Sequence, residues 1–286
     1  MVKQVLYGLM IVLGSCAPPA ASTGGSEQNI GADSVARNVA IQRNLSDTQL
    51  VDLVQQQTFR YFWDFADPVS GLSRERSNIA AYGHEVSTIG GTGFGVMSMI
   101  VAAERKWKTR QEVAERLLKM LRFLEKADRF HGMFPHWMYG ATGKTRPFSK
   151  NDNGADIVES AYLFQGLIAA KEYFNNNDQT ENEIREIISR LWNGAEWNWF
   201  TKGGENVLYW HWSPDKQWAM NHQIRGYNEC LIAYILAASS PTHPVKPEAY
   251  HEGWANSMSF INGKKYYDIT LPLGSEYGGP LFFSHY

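Results

Sequence analysis

Cysteine is nearly absent from this chain: Cys16 and Cys230 are the only two among 286 residues. With Cys16 in an N-terminal targeting segment, Cys230 has no partner for an internal disulfide. Its setting among Leu231, Ile232 and Ala233 reads as that of a small buried hydrophobe. No spacing of His, Cys or acids meets a structural zinc pattern, so neither a metal nor another cofactor is expected. An excess of charge is missing too. Lys and Arg number 27 against 29 Asp and Glu, the net charge is -2 and the pI is near 6.5. That leaves no basic stripe to neutralise phosphates and no reason to expect nucleic acid as a partner. Long apolar runs are also lacking, and the most apolar stretch, VLYGLMIVL from Val5 to Leu13, is too short to span a bilayer.

What the chain does have is apolar and aromatic material: 44% hydrophobic and 13% aromatic residues, with ten Trp. That is enough for a sizeable core. Rings beyond those needed for the core suit a ligand with apolar faces and many hydroxyls, which describes a sugar chain.

The N-terminus reads as an export signal. Lys3 supplies a short positive region, Val5–Leu13 the apolar core, and small residues precede Cys16. Leu13-Gly14-Ser15-Cys16 resembles a bacterial lipobox, which implies cleavage before Cys16 and lipid attachment to its sulfur. Residues 17–44, rich in Ala, Ser, Gly, Pro and Asn, read as a flexible tether to a domain over 45–286. The expected location is a bacterial membrane surface or the periplasm, with the lipid as the only membrane contact.

Three segments within that domain end alike: IVAAERKW, LIAAKEYF and YILAASSP. Their second alanines, Ala103, Ala170 and Ala238, recur about every 67 residues, room for a helix pair plus loops. These helices are apolar nearly all round and are expected to be buried on every side. Between them, Ser46–Gln49, Thr109–Glu112 and Thr180–Glu183 read as capping boxes opening amphipathic helices. Buried inner helices alternating with half-wet outer ones are what an α/α toroid requires, with the long loops gathered where the inner helices begin.

That placement gives meaning to NDNGADIVESAYL, residues 151–163. Asp156 and Glu159 could form an ordinary capping box. They open an inner helix, however, and Arg225-Gly-Tyr-Asn-Glu229 brings another acid to the same rim. Carboxylates from different helices facing one mouth point to a functional site with Asp156, Glu159 and Glu229 as candidate catalytic groups. As helical neighbours, Asp156 and Glu159 could share one proton. The loops HGMFPHWMYG and VLYWHWSPDKQWAMNHQIRG add rings and polar groups suited to pyranose faces and hydroxyls, with Trp137, Trp210 and Trp218 as preferred platforms.

Together, ERSNIAAYGHEVSTIGGTGFG, GMFPHW, DNGADIVESAYLFQGL, NHQIRGYNE and GGPLFFSHY resemble the bacterial glucoamylase-like proteins grouped as glycoside hydrolase family 144, over about residues 45–286. The resemblance implies an (α/α)6 toroid and inverting endo-hydrolysis of β-1,2-glucan. It places Asp152, Asp156, Glu159 and Glu229 on acidic positions of the pocket. Asp152, Arg74, His136, Trp137, Trp210, Trp218, His222 and Arg225 are then the expected sugar-binding residues. The repeat provides about three and a half helix pairs of six, so the toroid is expected to be incomplete here, as in a fragment, and the complementary catalytic pair is either one of Asp156 and Glu159 with Glu229 or one of these acids with a residue beyond Tyr286.

Two other functions fit part of the pattern. Asn221, His222, Arg225, Tyr227 and Asn228 are the residue types of an α/α-toroid polysaccharide lyase. A surface glycan-binding lipoprotein without catalysis would need the same aromatic loops but none of the acids.

Overall fold

The amphipathic periodicity from Leu45 onward becomes three outer helices, and the apolar segments become three inner ones. The computed structural model describes residues 44–77, 83–256 and 260–274. The expected signal, lipobox and nearly all of the tether lie outside these residues.

Helix α1 (Asp47–Trp63) starts at a capping box in which the Ser46 hydroxyl accepts from the Gln49 N–H and the Gln49 side chain returns to the Ser46 N–H. Thr109 and Glu112 do the same for α3 (Arg110–Leu124). The third box is not formed as expected. Helix α5 (Gln179–Asn193) is capped two residues earlier, by Asp178 accepting from the Glu181 N–H. Thr180 therefore lies inside the helix, and Glu183 is free to bind Arg122 through two bonds of 2.6 and 2.7 Å. An Asp at the turn outcompetes a Thr two residues on, because its carboxylate also faces the positive helix end.

The inner helices are α2 (Ile89–Glu104), α4 (Ile157–Tyr173) and α6 (Leu231–Ser239). Glycine lets α2 and α4 cross closely. A Cβ on Gly93 would stand 2.0 Å from the Tyr162 carbonyl oxygen, and one on Gly166 would stand 2.4 Å from the Gly93 oxygen. Helix α4 is enclosed on nearly all sides, as expected. The other two inner helices are not: Met97 and Val101 of α2 and Ile235 of α6 are exposed, Ile235 at 51%. An incomplete α/α toroid leaves such inner flanks without a neighbour.

Short strands line the mouth, which an all-helical reading does not anticipate. Strand β1 (Val86–Thr88) pairs antiparallel with β2 (Trp137–Tyr139), and β2 with β3 (Thr145–Arg146). Strand β4 (Ala155–Asp156) pairs with β5 (His211–Trp212), placing Asp156 opposite His211. Strands β1 and β4 each run straight into an inner helix, so the sheet fragments aim the helix starts into the mouth. A 3-10 turn at Trp197–Thr201, a π-helical turn at Ala249–Trp254 and the hairpin β6–β7 (Lys265–Tyr266, Ile269–Thr270) complete the described elements.

Candidate active site

Asp156 is the N-cap of α4, and its Oδ1 accepts from the backbone N–H groups of Val158 and Glu159 at 2.9 and 3.0 Å. The capping interpretation is correct for this residue. It ends there, because Glu159 does not return to Asp156. Its Oε2 crosses instead to α2 and accepts from the Gly90 N–H at 2.8 Å. The N-cap of α2, Thr88, makes no side-chain cap bond of its own. Glu159 thus supplies a cap to a neighbouring inner helix, and a Cβ on Gly90 would fall 2.3 Å from the same oxygen.

Asp156 accepts on its other side as well. Trp210 Nε1 donates to Oδ1 at 2.9 Å, His136 Nδ1 stands 2.9 Å from Oδ2, and His211 Nε2 is 3.4 Å from that oxygen. His211 Nε2 also lies 3.0 Å from Asp152 Oδ2. On the far side, His136 Nε2 faces Glu159 Oε1 at 3.8 Å. An alternation of acid and imidazole therefore runs Asp152, His211, Asp156, His136, Glu159, from the buried interior to the mouth.

Charge assignments follow from these neighbours. Burial opposes the charged form of His136, but the hydrogen bond to Asp156 and the negative charges of Asp156, Glu159 and Asp152 raise it to about 9. His211 is raised to about 9 by its hydrogen bonds to Asp152 and Asp156 against the same cost of burial. Burial would raise Asp156, yet the donors His136 and His211 and their charges hold it well below the usual carboxylate range. Asp156 thus stays ionised and is no partner for a shared proton with Glu159. Glu159 is raised to about 7, first by burial and further by the charges of Asp156 and Glu229, against His136 and the Gly90 N–H.

Glu229, just ahead of α6, is also raised to about 7, by burial and by the Asp156 charge. Its backbone carbonyl accepts from the Tyr162 hydroxyl at 3.0 Å, which fixes it beside α4. Its Oε2 is buried without a hydrogen-bond partner among the described residues. Cys230, next to it, is fully buried as expected.

Several expected sugar ligands are placed otherwise. Asp152, 4% exposed, faces His211 rather than the mouth. Trp137 is buried at 6% with its ring edge-on to Phe148, so it offers no open face. The exposed ring at this place is Phe148, 49% accessible and 4.2 Å from the His136 ring. The sequence marks Phe148 by nothing beyond its position after the β2–β3 turn. Trp210 directs its N–H to Asp156 while His222 stacks on its ring at 5.1 Å. Trp218 belongs to a separate aromatic group with Trp199, Phe200 and Tyr209. Arg225 donates to the backbone oxygens of Glu252 and Gly253, and Arg74 to that of Phe65, because each fastens a loop to its neighbour. His211 escaped sequence reasoning, since a lone His in an aromatic stretch carries no spacing signal.

His136, Asp152 and Asp156 bring potential ligand atoms within 4.8 Å of one another. Imidazole nitrogens already lie against one oxygen of each carboxylate, His211 Nε2 at 3.0 Å from Asp152 Oδ2 and His136 Nδ1 at 2.9 Å from Asp156 Oδ2.

A Glycoamylase family model matches residues 221–286. An endo-β-1,2-glucanase from Chitinophaga pinensis, solved with sophorotriose and glucose, is 49% identical and superposes with a TM-score of 0.79 over 84% of this chain and 59% of its own. The chain is a homologue of these glucoamylase-like proteins. A curated relative, an exo β-1,2-glucooligosaccharide sophorohydrolase of Parabacteroides distasonis acting at the non-reducing end, is 43% identical over 261 residues, 85% of this chain and 36% of its own. A provisional glucoamylase structure from Bacteroides uniformis is 60% identical with a TM-score of 0.82, covering 86% of this chain and 60% of that one. The chain thus spans between 36% and 60% of the length of these glucoamylase-like relatives.

Proposed function

We propose that this chain carries part of the active site of a glycoside hydrolase that cleaves β-1,2-glucan within the chain, with inversion. The observation that carries the reading is the convergence of Glu159, in the first turn of α4, and Glu229, just ahead of α6, at one mouth where burial raises both to about 7. Inverting hydrolysis needs one carboxylic acid to protonate the leaving oxygen and one carboxylate to activate water. Glu229 suits the first task, because burial favours its protonated form and its Oε2 has no hydrogen-bond partner among the described residues. Glu159 suits the second, with its carboxylate oriented by the Gly90 N–H and by His136. Asp156 orients and does not transfer protons.

The named activities of the relatives, endo-cleavage in one and release of sophorose in another, support the substrate class. The lyase alternative is disfavoured by the engagement of Arg225 with backbone oxygens, which leaves its guanidinium a poor neutraliser for a uronate. Incubating the full-length protein with linear β-1,2-glucan is expected to yield a spread of oligosaccharides whose new reducing ends first appear as the α-anomer. Sophorose alone from the earliest times would favour the exo mode, and initial β-anomer would exclude inversion.

Export and lipid attachment at Cys16 belong to the same proposal. No helix among the described residues is long and apolar enough to cross a membrane. Cys16→Ala is therefore expected to move the exported protein from the membrane fraction to the soluble one, and unchanged membrane retention would refute the lipobox assignment.

A further inference from the structure

Beyond the acids that converge at the mouth lies a group the proposed chemistry does not use. His211 sits on β5, directly opposite Asp156 in the two-stranded pairing. It is 8% exposed. Its Nε2 lies between Asp152 Oδ2 and Asp156 Oδ2, and its Nδ1 is buried without a hydrogen-bond partner among the described residues. A histidine held at one nitrogen by two carboxylates, away from solvent, costs desolvation that a purely structural contact would not need. Replacing the Asp152–His211 pair by apolar residues would suffice for packing alone.

What the pair does is evident from Asp156. Oδ1 of that residue is engaged by two backbone N–H groups and an indole, all of which orient the start of α4. Oδ2 is shared by His136, just ahead of β2, and His211 of β5. Without His211, Oδ2 would have His136 as its single donor, and only the Oδ1 contacts would set the tilt of the carboxylate toward that ring. With His211 present, the oxygen is fixed from the interior side, and the bond to His136 Nδ1 sets the plane that aims Nε2 at Glu159.

We infer that His211 is a positioning residue, braced by Asp152, which fixes Asp156 so that His136 is held toward Glu159. The inference rests on Glu159 being one of the reacting carboxylates, and it extends the machinery to two residues buried behind the reacting acids. The groups facing His211 are Asp152, Asp156 and His222; those facing His136 are Asp152, Asp156, Glu159 and Glu229. No unpaired cation among them would take over the task.

The experiment compares His211→Phe and His211→Gln in the full-length protein. Gln places an amide N–H near the position of Nε2, whereas Phe fills the volume without a donor. His211→Phe is expected to lower kcat on β-1,2-glucan by roughly ten- to a hundredfold, the range seen when a group supporting another ligand is lost, with KM within threefold. His211→Gln should recover most of that loss. A second readout is independent of turnover. In protein labelled with ¹⁵N-histidine, the downfield Nδ1–H proton of His136, which reports its bond to Asp156, should broaden or vanish in His211→Phe and persist in His211→Gln. If His211→Phe does not fold, Asp152→Asn carries the same test, since it keeps the shape and removes the negative charge that braces His211. An unchanged His136 resonance together with unchanged kcat in a folded variant overturns the inference. A lost resonance with unchanged kcat would show that His211 positions His136 but that Glu159 is not a reacting group, which locates the failure in the proposed function instead.

Discussion

At the scale of single residues, the opening acids of α4 separate into two roles that sequence alone leaves merged. Asp156 behaves as a cap and an anchor, fully buried and engaged at both oxygens. Glu159 and Glu229 behave as proton-transfer groups, since each is held near the pH at which it can be either protonated or ionised. If Glu229 protonates the leaving oxygen, the need for it falls when the leaving group is already a good one. Glu229→Gln is thus expected to lose several orders of magnitude on β-1,2-glucan and far less on an aryl sophoroside with an acidic phenol. Glu159→Gln, lacking the carboxylate that activates water, should lose about equally on both. Comparing kcat/KM for the two substrates and two variants decides the assignment, and equal losses for Glu229→Gln would move the acid elsewhere. A cap alone predicts another outcome: about 0.5–2 kcal/mol of stability lost and turnover per folded molecule preserved.

At the scale of elements, legibility in the sequence follows the range over which each signal acts. Helices α1 and α3 are visible because their capping boxes span four residues and their apolar faces repeat every turn. Helix α5 is visible as an element but mislocated at its start, because Asp178 and Thr180 are both legitimate caps and the choice depends on the tertiary contacts of Glu181. That carboxylate is buried against Arg110, at 2.7 and 2.9 Å, and cannot close a local box. The inner helices are visible through the repeated alanine segments. Their burial is overestimated for α2 and α6, because composition records what a face can bury and not whether a neighbour is present. The mouth strands are not visible at all. Two or three residues hold no alternation to detect, and β4 pairs with a strand more than fifty residues away. The acids of the site and His136 were therefore legible, whereas His211 was not, since it reaches Asp156 only through that long-range pairing. The same reason explains the misread aromatics: a Trp in a polar loop reads as a platform until the loop folds its ring against Phe148 or its N–H onto Asp156.

At the scale of the whole molecule, the site leaves a mark on stability against pH, and its direction can be worked out. His136 and His211 are both raised to about 9 in the folded protein, against about 6.5 when unfolded. The folded state therefore binds protons that the unfolded state has released between those values. The stabilisation from these pairs is complete below about pH 6.5 and is lost as pH rises through about 9. Glu159 and Glu229, raised to about 7, act in the same direction at lower pH, their neutral forms being the ones the folded state favours. Asp156 acts oppositely, but only at acid pH, where its carboxylate would begin to protonate in the unfolded chain. His84 and His222, both lowered mainly by burial, also act oppositely and only as pH rises toward about 6.5. The window from about 6.5 to about 9 is thus governed in this site chiefly by the two raised histidines. The melting temperature of the full-length protein is expected to fall steadily across it, and His211→Gln should make the fall shallower by removing one of the two titrating groups. Thermal scans at half-unit steps of pH check both slopes. A slope from pH 6.5 to 9 that is the same in wild type and in folded His211→Gln would mean that His211 does not hold its proton in the folded protein, and the raised proton affinity of that histidine would have to be abandoned.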